Sequence, residues 1–493
     1  MTVKDIFKRK KKRRYWPVVL FFFLFFSGLA GYGYYTIKHI DIADILENDF
    51  IQSQLQERVP EQYKSLLEMS PVLLGFEQPK TYVAVFQNDT ELRPGGGFIG
   101  SYATLRVDKG NVTVLALEGT ETLDRKTPDT WRPKPPAIMT KELGVDRWYF
   151  RDSNWDPFFV PNAKRALEFY MAEGGVAGEN IDGFLAVDTQ VLEELIALSG
   201  PITVQGITFT KENIVETLEY DVEYGFEKRG ISFADRKQIM KPLFDAILKK
   251  IGINIITQPE KYIETIEKLI KEKHVAMYSV DEKIQAEMVN IGLSEGEPVI
   301  SGDYLLWTDA NLAALKTDHA MKRHLTYSLH TASGDNSIHT AKMTYTHTGV
   351  FDWRTSRYRT YARVFVPKGA ELKEIIITEK NGRTKKISPH TATVEMFDTY
   401  QAFAYFFVIE PGDERSLAFK YQISSDMQLY QGKSYALTLP KQSGTDAHGL
   451  TLDLNFDKNI SAAQPAEEKQ EWGNMQYTVE TDLLVDRVFE INF

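Results

Sequence analysis

Twenty consecutive uncharged residues, Trp16–Tyr35 (WPVVLFFFLFFSGLAGYGYY), follow a tip in which Lys4, Lys8, Arg9, Lys10, Lys11, Lys12, Arg13 and Arg14 face only Asp5. A helix of that length, rising 1.5 Å per residue, spans about 30 Å, one hydrocarbon core. The basic flank sets the N-terminus in the cytoplasm, and Trp16, Tyr32, Tyr34 and Tyr35 suit the two membrane interfaces. The run is expected to be a retained transmembrane helix (residues 16–36) behind a cytoplasmic tip (1–15). Its partner is then the lipid bilayer, with about 455 residues outside the cytoplasm in a single-pass protein of the cell membrane. The alternative is a cleaved signal peptide, since Gly28 and Ala30 are small enough for a cleavage site.

The charge is divided. The tip carries eight basic residues against one acidic, +7, which leaves −17 for the rest of a chain whose net charge is −10. An acidic body argues against nucleic acid as a partner, because phosphate-backbone binding needs clustered positive charge. Hydrophobic residues at 43% and charged residues at 26% mark a folded chain. The absence of cysteine excludes disulfides, thiolate metal sites and a cysteine nucleophile.

Behind the anchor, Ile42, Ile45, Leu46, Phe50 and Leu55 recur at helical spacing, and Pro71 and Gly75 close the pattern. Residues 37–78 are expected to form a helical stalk. Residues 79–300 read as an α/β domain with a helical second half. Thr81–Gln87 is a strand and Asn88–Gly97 a polar, glycine-rich loop. Phe98–Val107 and Val112–Leu117 form a hairpin turned at Lys109-Gly110-Asn111. A helix entered at Pro161 carries Ala163, Leu167, Tyr170 and Met171 on one face. A buried strand, Ile181–Asp188, precedes a helix driven by Leu192, Leu195 and Ile196. Ile239, Leu243, Ile247, Leu248 and Ile251 mark a later helix. Residues 301–326 read as a connecting segment. From 327 to 493 short alternating strands with turns such as Lys368-Gly369 and Pro411-Gly412 predict a β-sandwich. The fold class is therefore α+β or α/β, a layered α/β domain followed by a sandwich.

Three polar loops could carry chemistry. Asp89, Glu91 and Arg93 follow the first strand, where ligands of α/β sheets bind. Carboxylate oxygens suit a divalent cation and the arginine fork suits a phosphate. Arg151, Asp152 and Asn154 repeat that chemistry in a second loop. Asp221, Glu223, Arg229, Asp235, Arg236 and Lys237 form a third cluster. Gly95-Gly96-Gly97 could let backbone amides approach an anion. The run Gly95–Gly100 fits the dinucleotide spacing, but a strand follows it where that fingerprint requires a helix. Each loop is equally well a set of caps and salt bridges. His330 and His339 flank a turn and are expected to face each other across a hairpin, without any metal-ligand spacing.

The segments FQNDTELRPGGGFIGSYATLRVDKG, RDSNWDPFFVPNAKRALEFY, IDGFLAVDTQVLEELIALSGPI and RTYARVFVPKGAEL, in that order, resemble an uncharacterised family of bacterial membrane-anchored proteins with a domain of unknown function. More distantly, the N-D-x-x-x-R loop, the hairpin, the asparagine loop and SFADRKQIMKPLFDAILKK are similar to the LytR-CpsA-Psr phosphotransferases. That likeness implies a three-layer α/β domain and transfer of glycopolymers from polyprenyl pyrophosphate to peptidoglycan. It also implies a divalent cation, Mg2+. By position it puts Asp89 and Arg93 in the metal and pyrophosphate loop, Asn154 in the asparagine loop and Arg229, Arg236 or Lys237 in the arginine cluster. With the chemistry of the loops, Asp89, Arg93 and Arg151 are the expected catalytic residues, Asp89 and Asp152 the metal ligands, and Asn154, Arg229, Arg236, Lys237 and Gly95–Gly97 the ligand-binding residues. The sequence departs from that family at Leu117–Glu121, where an arginine–aspartate pair is expected, and at Gly100-Ser101, where an aspartate is expected. A related fold without the activity, as in a non-catalytic cell-wall binding or scaffold protein, is the alternative.

Overall fold

A computed structural model describes residues 64–493 except 234–235, 258, 301, 332–335, 425–429, 432–433 and 468–472. The basic tip, the apolar run Trp16–Tyr35 and most of the expected stalk lie outside the described residues. No helix among the described residues is long and apolar enough to cross a membrane.

The first half is built on a five-stranded mixed sheet. Its strands are β1 (Lys80–Arg93), β2 (Gly96–Asp108), β3 (Asn111–Gly119), β4 (Gly183–Val187) and β7 (Val275–Ser279), in the order β3-β2-β1-β4-β7. β1 and β4 run parallel, and β7 closes the edge antiparallel to β4. Strand alternation sends successive side chains to opposite faces. Tyr82 and Ala84 enter one core with helices α5 (Thr189–Ser199), α7 (Met240–Thr257) and α8 (Pro259–Lys271). Val83 and Val85 enter another with Phe159, Ala163, Leu167 and Tyr170 of α4 (Phe159–Ala172). The sheet is thus covered on both faces. Met171, expected beside Tyr170, is instead 38% exposed at the helix end. The stretch read as mostly helical also contains β7 and a small hairpin, β5 (Ile202–Val204) with β6 (Ile207–Phe209).

Three expectations are corrected. The end of the stalk is a buttress: α1 (Lys64–Leu73) places Leu73 in the α/β core, and the Tyr82 hydroxyl donates to the Leu73 carbonyl at 2.7 Å. The polar loop at Asn88–Gly97 is strand and tight turn, because Leu92 and Arg93 still pair with Gly97 and Gly96 after two register shifts. The connecting segment belongs to the β-rich region. β8 (Asp303–Tyr304) pairs with β19 (Ser434–Leu439), β9 (Leu306–Thr308) pairs with β12 (Tyr358–Pro367), and β10 (Met321–Thr331) begins before residue 327. Trp307 is accordingly buried in the same core as Tyr327 and Phe419.

That C-terminal region is rich in strands. A seven-stranded sheet runs β14-β13-β17-β11-β10-β20-β22, with β14 (Thr384–Ile387), β13 (Glu371–Glu379), β17 (Glu414–Ile423), β11 (Ser337–His347), β20 (Gly449–Asn455) and β22 (Gln476–Asp482). Smaller sheets built on β12 and β19 share its core. His330 and His339 do not face each other. His330 pairs with Ile338 and His339 with Leu329, so their side chains take opposite faces. His339 is buried against the Tyr327 hydroxyl at 2.6 Å.

Candidate functional site

The parallel pairing of β1 and β4 ends at Phe86 and Val187, and α5 starts there at Thr189. Over these ends lies a cavity of about 330 Å3. Its walls are apolar: Phe86 from β1, Val187 from β4, Val191, Leu192 and Leu195 from α5, Leu218 from α6 (Ile214–Tyr220), and Leu243 and Phe244 from α7. Arg151, Arg236, Lys237 and Lys316 line it, with Glu121, Glu219, Glu223 and Asp188 among them.

These charges are unevenly shared. Arg236 lies 2.9 Å and Lys237 2.8 Å from the two oxygens of one carboxylate, Glu121. Lys237 also donates to the Gly100 carbonyl at 2.8 Å. Burial pushes Glu121 up, but the hydrogen bond and charge of Lys237, with Arg236, hold it below the ordinary range. Burial pushes the Lys237 ammonium down, against the pull of Glu121. Arg151 reaches Asp124 at 3.0 Å. The Asp124 carboxyl is pushed up to about 7 by burial, opposed by Arg151 and assisted by Asp152 and Glu121. Asp188 and Glu219 are engaged elsewhere. Asp188 caps α5 through the Gln190 amide at 3.1 Å and holds His274 at 2.6 Å. Glu219 accepts from Asn88 at 2.8 Å, Thr90 at 2.5 Å and Arg354 at 2.6 Å. Arg151, Arg236 and Lys237 therefore gather at one rim of an apolar hollow, Arg151 beside Asp124 and Asp152 and the other two on Glu121.

Of the residues singled out in the three polar loops, Arg151, Glu223, Arg236 and Lys237 line this cavity. Asp235 lies outside the described residues; Asp89, Glu91, Arg93, Gly95–Gly97, Asp152, Asn154, Asp221 and Arg229 do not line it. Arg93 is 3% exposed and held by Asp152 at 3.2 Å, Glu91 at 3.3 Å and the Asn311 carbonyl at 2.8 Å. Its fork is occupied by the protein itself. Asn154 donates to the Gly97 carbonyl at 2.7 Å, and the Gly95 amide donates to the Asn154 carbonyl at 3.1 Å. Gly95, Gly96 and Gly97 are buried in that turn. A Cβ on Gly97 would sit 2.1 Å from the Asn88 carbonyl carbon, and Gly96 has φ +114°, so close packing accounts for these glycines. Arg229 is committed to Asp221 at 2.5 Å.

The two assigned metal ligands have different partners. Asp89 accepts from the Thr189 hydroxyl, and its carboxyl is pushed well up by burial and then by Asp188. Asp152 is bound by Arg93 and lies 3.6 Å from Arg151. No group of three or more His, Asp or Glu able to hold a metal ion occurs among the described residues. A second, more open hollow of about 780 Å3 lies along β22 and β23 (Arg487–Asn492). Its lining charges are Glu467, Glu480, Asp486 and one cation, Arg487.

Together these features define an α/β sheet with a ligand-sized, amphipathic cavity at its strand ends and a β-rich region bolted alongside. A family model described as a protein of unknown function (DUF4012) matches residues 77–223, which span β1 to α6. No curated protein matches the chain. Among solved structures, B. subtilis TagV is similar at 13% identity, over 48% of this chain and 87% of that chain, with TM-score 0.22. An M1 zinc metallopeptidase from Deinococcus radiodurans is similar at 10% identity, over 37% of this chain and 43% of that chain, with TM-score 0.19. The chain thus spans less than half the length of that peptidase. The CBM3a-L domain of scaffoldin cipA from Clostridium thermocellum is similar at 15% identity, over 22% of this chain and 71% of that chain, with TM-score 0.16. Likenesses with such TM-scores carry no argument about fold or activity.

Proposed function

We propose that the chain is a membrane-anchored protein of the bacterial envelope that binds an anionic, long-chain lipid, a polyprenyl phosphate or pyrophosphate bearing a glycan, in the cavity between β1, β4, α5 and α7. The observation that carries the reading is the pairing of an apolar hollow with Arg151, Arg236 and Lys237 at one rim. Apolar walls shelter a hydrocarbon chain from water. Charge-assisted hydrogen bonds from guanidinium and ammonium groups recognise phosphate oxygens. The apolar run Trp16–Tyr35 would hold the body at the membrane from which such a lipid comes, with peptidoglycan within reach. The LytR-CpsA-Psr-like three-layer arrangement belongs to the same proposal.

Two roles remain open to such a site. In the phosphotransferase reading, Arg151 stabilises charge on a pyrophosphate under attack. The non-catalytic reading, a carrier or scaffold for the lipid-linked polymer, is favoured by one specific observation: Asp89 and Arg93 are turned to internal partners. Any Mg2+ then arrives with the pyrophosphate and is not held by Asp89 and Asp152. The test is titration of the full chain in nanodiscs with undecaprenyl phosphate. Wild type should bind saturably. Lys237→Ala should weaken binding about 10-fold or more, the loss of one charge-assisted contact of about 1.5 kcal/mol. Leu192→Trp, which fills the hollow, should abolish binding. Absence of saturable binding by wild type, or two variants indistinguishable from it, would refute the reading.

A further inference from the structure

Three aromatic rings, Tyr220, Tyr224 and Trp353, pack together beside the cavity, and the Lys228 ammonium lies over the Tyr220 ring at 5.3 Å from its centroid. Tyr220 ends α6 and Tyr224 lies in the following π-helical turn, Asp221–Gly225. Trp353 comes from the β-rich region. The two tyrosine rings are tilted by 36° at 6.0 Å, and Trp353 stands across both, at 77° and 5.4 Å from Tyr220 and at 85° and 5.7 Å from Tyr224. The tyrosines form a shallow floor and the indole an upright wall. Tyr220 is 36% and Tyr224 47% exposed. Val350 and Phe351, which precede Trp353 in its loop, are also exposed.

This corner neighbours the cavity: Glu219, Val222 and Glu223, which alternate with the two tyrosines along the chain, are lining residues, while the three aromatic side chains stand outside the lining. Lys316 pairs with Glu223 at 3.5 Å at the same place. The tryptophan's position is fixed by its neighbour, because Arg354 is buried and donates to Glu219 at 2.6 Å. The Asp352 carboxylate closes the loop by accepting from the amides of Arg354 and Thr355 at 2.8 and 2.7 Å. Polar groups ring the corner: Lys228 donates to the Tyr220 hydroxyl at 2.7 Å, and Glu216 lies 4.0 Å from Arg354.

We propose that Tyr220, Tyr224 and Trp353 form a stacking subsite for a pyranose ring of the glycan carried on the lipid phosphate. The inference rests on the lipid-phosphate reading of the cavity and extends it to the headgroup. The C–H face of a pyranose is apolar and slightly positive, and an aromatic face is negative, so the two stack. The sugar's hydroxyls need donors and acceptors around the ring, which Lys228, Glu223 and the tyrosine hydroxyls supply. A fixed, half-exposed aromatic corner beside a phosphate-binding rim places the sugar next to the phosphate that bears it. On this view the β-rich region contributes the specificity for the headgroup, through Trp353.

The experiment compares undecaprenyl phosphate with undecaprenyl pyrophosphoryl-N-acetylglucosamine on the full chain in nanodiscs, in wild type, Trp353→Ala and Tyr224→Ala. The expected result is at least a 10-fold loss for the glycosylated lipid in both variants, with the unglycosylated lipid changed less than 2-fold. Unaltered melting temperatures show that the variants fold. Equal losses for both lipids, or no loss for either, overturn the subsite while leaving the cavity intact. If wild type binds neither lipid, the cavity reading fails. The subsite is then judged by tryptophan fluorescence with soluble chitotetraose. A saturable response lost in Trp353→Phe supports it, and a flat titration overturns it. A stronger response to choline than to chitotetraose reassigns the corner to cation binding and also overturns it.

Discussion

Arg93→Ala is the substitution that separates a ligand-binding arginine from one that holds the fold together. The sequence places Arg93 beside a phosphate. The structure buries it between Asp152, Glu91 and the Asn311 carbonyl, so it joins the α/β sheet to the β-rich region. Removing one partner of a buried ion pair leaves the other charged and unpaired, at a cost of about 3–5 kcal/mol. In a unit of 150–250 residues each kcal/mol lowers the melting temperature by about 2–4 °C, so a fall on the order of 10 °C is expected. Calorimetry should show the single transition splitting, because the latch between the two regions is lost. Below the new transition, undecaprenyl phosphate binding should stay within about 2-fold of wild type, since Arg93 does not line the cavity. Adding Asp152→Asn should recover part of the loss, because of the two carboxylates that Arg93 held only Glu91 then stays charged. An unchanged melting temperature together with weakened binding would refute the reasoning and return Arg93 to the phosphate.

Two further outcomes are expected. Asp124 has its carboxyl raised to about 7 by burial. An acid raised on folding contributes its full stability below its unfolded value, near 4, and loses it as pH rises through the folded value. Asp124→Asn should therefore flatten the decline in melting temperature between pH 5 and 8, and a decline as steep as that of wild type would contradict the assignment. Membranes from expressing cells should retain the full chain after a carbonate wash, as a retained Trp16–Tyr35 anchor requires. Release of a shorter form beginning near Gly31 would instead identify a cleaved leader.

Much of the α/β layer could be read from periodicity. Leu243, Ile247 and Ile251 recur at helical spacing and do lie together in the core. The strand at Thr81–Gln87 and the hairpin after it are also present. What failed was the reading of Asn88–Arg93 as a loop. Its residues are polar, and polarity in a short stretch normally marks a turn. Here the groups are satisfied by partners far along the chain: Asn88 and Thr90 by Glu219, Leu92 by Asp318, and Arg93 by Asn311. No local pattern signals such partners. The same holds for the site. Arg236 and Lys237 stood in a recognisable polar cluster, but Glu121, the carboxylate that gathers them, sits in a five-residue helix 115 positions from Arg236. The apolar walls were legible only as helix and strand cores. A hollow arises where elements fail to meet, and no single element carries that information.

Gln442 has a consequence for the order in which the molecule can be completed. Its side-chain amide donates to the carbonyls of Arg93 at 3.0 Å and Asp309 at 2.8 Å, and its oxygen accepts from the Asp309 amide at 2.8 Å. Arg93 and Gln442 are separated by 349 residues. A ribosome that has already delivered every strand of the first sheet still holds back the side chain that ties the end of β1 to the β-rich region at Asp309. The seam can set only once nine-tenths of the chain has emerged. Contacts of such sequence separation are late and slow to form. A chaperone or protease meeting the growing chain would find the Arg93 carbonyl without this partner until almost the last moment of synthesis.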